Sequence, residues 1–128
     1  MKYSKQAQKA VDNAKRISKR LQHHYIGTEH LLLGLLRVKD SIAATVFAKE
    51  NVTEENVMTL IEDLIAPDSS VAIMERDGNT PKLDEVLAEA VAQAKISHLN
   101  EVGTEHLAIA LFRVSDCAAT RLLTSMEV

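Results

Sequence analysis

The apolar positions of this chain recur at helical spacing along most of its length. Ala7, Ala10, Val11, Ala14, Ile17 and Leu21 advance in steps of three and four, which lays one stripe along a helix. Ser4 stands just ahead of that stripe as an N-cap, a residue whose hydroxyl accepts from a first-turn N–H. Gly27 interrupts the pattern and Thr28 is placed to cap a second helix. From Leu31 to Leu36 that helix is so nearly all apolar that it must lie at the centre of the fold. Asp40 is the expected cap of a third helix through Ala43, Ala44, Val46 and Phe47. Thr53 opens a fourth, with Glu54 and Glu55 in the turn where carboxylates complement the helix dipole, and Val57, Leu60, Ile61 and Leu64 on its apolar face. Pro67-Asp68-Ser69-Ser70 ends it. Asp77-Gly78-Asn79 then turns the chain into Thr80-Pro81, an N-cap followed by proline at the first helical position.

The pattern is written twice. The block Gly27-Thr28-Glu29-His30-Leu31-Leu32-Leu33-Gly34-Leu35-Leu36-Arg37-Val38 returns, 76 residues on, as Gly103-Thr104-Glu105-His106-Leu107-Ala108-Ile109-Ala110-Leu111-Phe112-Arg113-Val114. Eight of the twelve positions are identical and the other four exchange one small or apolar residue for another, so the chain is a duplication. The same offset sets Ser4 against Thr80. After Val38 the best sequence match slips by one, pairing Ala43-Ala44-Thr45 with Ala118-Ala119-Thr120. The expected architecture is all-α, a pseudo-twofold tandem repeat of a four-helix motif in which the second repeat lacks its last helix. Residues 1–66 form the first repeat, 67–79 a linker and 80–128 the second. The missing helix is expected to expose an apolar groove near Leu122 and Leu123.

Composition agrees with helices packed on helices. Hydrophobic residues make up 46% of the 128 positions but aromatics only 3%, so the core must be aliphatic. The net charge of −3 gives the chain no general attraction for nucleic acid, although Lys2, Lys5, Lys9, Lys15, Arg16, Lys19 and Arg20 face a single acid, Asp12, in the first twenty residues. The expected reading of that stretch is a solvated helix face. Cys117 is the only cysteine, which excludes an intrachain disulfide and a cysteine-rich zinc site. No signal-peptide pattern opens the chain and no apolar run is long enough to span a bilayer, so no membrane association and a cytoplasmic location are expected.

Catalytic motifs are missing. The four glycines, Gly27, Gly34, Gly78 and Gly103, start no phosphate-wrapping Walker loop. Glu29-His30 and Glu105-His106 are adjacent pairs whose side chains diverge by roughly 100° around a helix, unlike the spacings that bind metal. No catalytic residue, metal or other cofactor is expected, and His30 and His106 are read as structural. Arg37 and Arg113 are expected to bond to helix-end carbonyls.

The paired Gly-Thr-Glu-His-Leu blocks, with Tyr3 to Val11 and Thr80-Pro81-Lys82, resemble the Clp N-terminal repeat, closest to the ClpC type. That resemblance covers essentially the whole chain. It implies a non-catalytic module that binds adaptor proteins and protein substrates for an AAA+ ring and its peptidase. The alternative within the family is a stand-alone Clp-N protein that regulates the protease or competes for its adaptors. The ClpC resemblance further implies recognition of phosphorylated arginine, with Glu29 and Glu105 in the site. A carboxylate suits the guanidinium and a helix N-terminus suits the phosphate, which adds Ser4, Thr80, Thr28 and Thr104 as candidate contacts. Each pocket is expected to pair its Glu with the helix start of the same copy. Two departures from the ClpC pattern stand out: Leu21-Gln22-His23 and Ser97-His98-Leu99 replace its Leu-Gly-His, and Glu101 occupies the position of Tyr25. A carboxylate at Glu101 would either strengthen guanidinium binding or repel the phosphate.

Overall fold

The computed structural model describes residues 1–64 and 78–127. The expected linker therefore lies outside the described residues, apart from Gly78 and Asn79, as does the side chain of Leu64. The first copy contains β1 (Lys2–Tyr3), α1 (Lys5–Arg20), α2 (Thr28–Arg37), α3 (Ile42–Lys49) and α4 (Glu54–Leu64). The second contains α5 (Pro81–Ile96), β2 (Glu101–Val102), α6 (Thr104–Arg113) and α7 (Ala118–Ser125). α1, α2 and α3 each recur 76 residues later as α5, α6 and α7. The slip after Val38 is thus absent from the structure: Ser41 and Cys117, also 76 apart, are both N-caps. The alanine pairs simply sit one position apart on equivalent helices.

α2 forms the centre because its sequence leaves it no polar face. All residues from Thr28 to Leu36 are buried. It packs on α1 so closely at Gly34 that a Cβ there would lie 2.2 Å from the Ala10 carbonyl oxygen. α2 also meets α3, α4, α6 and α7, so the two copies share one aliphatic core that runs from Ala7 and Ile17 to Leu107, Leu111, Leu122 and Leu123. Leu122 and Leu123 are each only 1% exposed, with α2 and α4 of the first copy packed on α7, and Leu122 borders a surface cavity of about 500 Å³ with Asp116, Ala118, Arg121 and Thr124. Val46, placed with the apolar positions of the third helix, is instead 55% exposed.

Several caps differ from the expectation. Ser41, not Asp40, caps α3, its hydroxyl accepting from Ala44 N at 3.1 Å. Ser4, Thr53 and Thr80 cap their own helices as expected. Thr28 does not. It is the first residue of α2, with Gly27 as the N-cap, and its hydroxyl accepts from Ala119 N in α7 at 3.0 Å. Cys117 heads α7 without a side-chain cap, so the first copy provides one from across the core. Arg37 and Arg113 bond to carboxylates rather than carbonyls. Arg37 Nε reaches both oxygens of Glu54 at 3.1 and 2.9 Å, tying the end of α2 to the start of α4, while Arg113 Nε lies 3.4 Å from Glu89.

Candidate functional site

The Gly-Thr-Glu-His turn is built the same way in both copies. The glycine is the N-cap and the histidine occupies the third helical position, where Glu or Gln ordinarily reaches back to the cap N–H. Here imidazole does so: Gly27 N donates to His30 Nδ1 and Gly103 N to His106 Nδ1, each at 2.8 Å. Nδ1 accepts in both turns, and the buried His30 ring is neutral with its proton on Nε2. The His30 Nε2–H then points at His23 Nδ1, 2.7 Å away. Burial, with His23 adding to it, pushes the His30 pKa down to about 3. These histidines shape the turn, in agreement with their structural reading.

The glutamate before each histidine folds back over the glycine. A Cβ on Gly27 would lie 2.0 Å from Glu29 Oε1, and one on Gly103 would lie 1.8 Å from Glu105 Oε1. Neither glycine has a positive φ, so what each provides is room for the carboxylate to fold back in this position.

From here the copies part. Glu29 is 2% exposed and the Tyr25 hydroxyl donates to its Oε2 at 3.1 Å. Tyr25 itself stacks on His23, with ring centroids 5.4 Å apart. Burial raises the Glu29 pKa above the usual carboxylate range, opposed by its own backbone N–H, Tyr25 and the Arg121 guanidinium. The first copy's carboxylate is therefore occupied by its own protein's groups. In the second copy Glu101 replaces Tyr25 and is exposed, and the Glu105 side chain is left 40% exposed.

Glu105 opens onto a cleft of about 280 Å³ lined by Ser4, Gln6, Ile42, Leu99, Asn100, Glu101 and the Gly103–His106 turn. First-turn residues of three helices line it together: Ser4 and Gln6 at the start of α1, Ile42 at the start of α3 and Gly103 to His106 at the start of α6. Ser4 belongs to the first copy and Glu105 to the second, which corrects the same-copy pairing. The cause is strand exchange: β1 pairs in parallel with β2, Lys2 against Glu101 and Tyr3 against Val102. The related bridge joins Ile26 to Asn79, and Thr80 N donates to Ile26 O at 2.9 Å, setting Thr80 beside the Glu29 turn. Of the six candidates, Ser4, Thr104 and Glu105 line the open cleft, Thr80 and Glu29 belong to the closed counterpart, and the Thr28 hydroxyl is committed to Ala119. Gln6 and Ile42 were not singled out in the sequence, because only the exchange brings them to Glu105.

The sequence model of the Clp repeat N-terminal domain matches residues 2–126. The ATP-dependent Clp protease ATP-binding subunit ClpC of Staphylococcus epidermidis is 34% identical over 128 residues, covering 98% of this chain and 15% of that protein. ClpC of Staphylococcus aureus is 34% identical over 126 residues, with the same coverage. The chain thus spans about 15% of the length of these curated relatives. Among solved structures, the N-terminal domain of the chaperone ClpD from Arabidopsis thaliana superposes with a TM-score of 0.78 at 22% identity, covering 99% of this chain and 88% of that one. The Hsp104 N-terminal domain from Candida albicans gives 0.78 at 14% identity, covering 100% and 83%. Both likenesses establish the fold.

Proposed function

The chain belongs to the Clp repeat N-terminal domain family, and from that premise we propose that it is a docking module for protein substrates and adaptors of a ClpC-type ATP-dependent unfoldase, with the Glu105 cleft receiving phosphorylated arginine. The observation that carries this reading is the meeting of a partly exposed carboxylate with first-turn residues of three helices in one cleft. Phosphoarginine needs both. Its guanidinium N–H groups suit the Glu105 carboxylate in charge-assisted hydrogen bonds, and its phosphate suits the free N–H groups and positive dipole ends of α1, α3 and α6. Plain arginine lacks the phosphate, and phosphate alone meets Glu101 and Glu105 without a guanidinium between.

The module contributes binding, and unfolding work belongs to the ATPase ring of the proposed parent protein. Calorimetric titration with free phosphoarginine, against arginine and inorganic phosphate, tests the reading. Saturable binding of phosphoarginine alone at a single site, abolished by Glu105→Ala and retained by Glu29→Ala, is expected. Binding unaffected by Glu105→Ala in a folded protein would refute it.

A further inference from the structure

The Glu105 cleft does not end at Glu105. On its far side the same residue, with Ile42, borders an apolar groove of about 210 Å³ between α3 and α6. Ile42 and Val46 stand one turn apart on α3, and Ile109 and Phe112 three residues apart on α6. All four are exposed, at 58%, 55%, 43% and 48% respectively; among the described residues the other exposed large apolar side chains are Met1, Ile96 and Leu99. The floor is firm because Phe47, 2% exposed, stacks on Phe112 with ring centroids 5.9 Å apart. An exposed apolar face of this kind, bordered by charge, marks a contact surface.

The charge is of one sign. Glu50 and Glu105 line the groove, Glu101 lines the adjoining cleft, and among the described residues no Lys or Arg lines either. Those carboxylates complement the guanidinium of a phosphoarginine and any cationic residue flanking it, while its phosphate is met by the helix starts that line the cleft. We infer that cleft and groove form one composite peptide site, in which Glu105 holds a guanidinium-bearing side chain while Ile42, Val46, Ile109 and Phe112 take a bulky aliphatic or aromatic side chain within two residues of it. In an extended peptide, side chains two positions apart project to one side about 7 Å from each other, a spacing that suits two depressions sharing one wall. The module thereby reads two features together: the modified arginine, and an exposed hydrophobic residue of the sort a folded protein keeps inside. This rests on the phosphoarginine reading of Glu105.

The test compares two synthetic heptapeptides with a central phosphoarginine, one flanked by Leu and Phe and the other by Gly and Ser, alongside free phosphoarginine. The wild-type chain should favour the apolar-flanked peptide by about tenfold. The double variant Val46→Ser with Ile109→Ser, both at exposed positions, should erase that preference and leave free phosphoarginine binding unchanged. Equal affinity of the wild type for both peptides, or a preference that survives in the double variant, would overturn the groove while the pocket stands. Failure of free phosphoarginine to bind would remove the pocket and this inference together. A wild-type dimer in sedimentation velocity that the double variant dissociates would assign the groove to a second copy instead.

Discussion

The backbone N–H of Ser4 donates to the carbonyl of Val102 at 2.8 Å, binding the cap of the first copy's leading helix to the strand that enters the second copy's Gly-Thr-Glu-His turn. Its counterpart joins Thr80 to Ile26 at 2.9 Å. Through this exchange each copy completes the other's turn, and two short repeats fold as one body.

The Thr28 hydroxyl extends the exchange into the core. Thr28→Val keeps the shape but leaves the Ala119 N–H without its partner in a buried setting. The expected cost is about 1–2 kcal/mol, seen as a lower midpoint in chemical denaturation. Thr104→Val, whose hydroxyl makes no comparable bond across the copies among the described residues, should cost less. Equal losses would show that the Thr28 bond contributes nothing specific.

Gly34 is a packing contact. Adding a methyl group drives it into the Ala10 carbonyl, and neither helix backbone can yield cheaply. Gly34→Ala should destabilise by roughly 1–3 kcal/mol despite its better helix propensity. A thermal midpoint at or above wild type would contradict the close approach of α1 and α2.

Both leading helices end in the same motif. His23 N reaches Ser18 O and Leu99 N reaches Ala94 O, each at 3.0 Å, which puts Gln22 and His98 in the left-handed region with φ of 59°. Glycine is favoured there, and it is the residue that the ClpC pattern carries at this point. Gln22→Gly should therefore stabilise the fold, by up to about 1 kcal/mol. A lower midpoint in thermal denaturation would count against it.

Acid should act through His30. Its folded pKa is about 3, against an ordinary value of 6.5. Between those values the unfolded chain binds a proton that the native ring refuses, so stability falls as pH drops from about 6.5, by up to about 1.4 kcal/mol per pH unit. Glu29 has the opposite sign. Its raised pKa favours the native state at and below 4.5, a contribution lost as pH rises through the folded value. His30→Gln keeps an acceptor for Gly27 N and removes the titration, so its thermal midpoint should change less between pH 7 and pH 5. Parallel pH curves for the two proteins would rule out His30 as the cause.

Tyr25 closes the first copy's carboxylate. Tyr25→Ala removes the hydroxyl on Glu29 and the ring stacked on His23, uncovering a turn built like that of Glu105. A second, weaker phosphoarginine site is the expected calorimetric result. Unchanged stoichiometry in a folded variant would mean that Arg121 and burial suffice to keep Glu29 closed.

Much of this protein is local in origin and could be read from the chain. Helical periodicity, the glycines at Gly27 and Gly103, and the caps at Ser4, Thr53 and Thr80 are decided within a few residues, by backbone geometry and first-turn hydrogen bonds. The duplication was equally plain, because twelve aligned positions carry the same turn and the same buried helix. What the sequence could not determine is which copy each side chain serves. Thr28 caps a helix 91 positions away, Ser4 meets Glu105 rather than Glu29, and α7, which carries Leu122 and Leu123, packs on helices of the other copy. Those pairings arise only when the strand exchange brings the two copies together. The fate of the two glutamates is the clearest case: identical turns hold both, yet Tyr25 and Arg121 close one while Glu101 leaves the other open. A side chain's neighbours in space, not in sequence, set its solvation, and solvation decides whether a carboxylate remains free to bind.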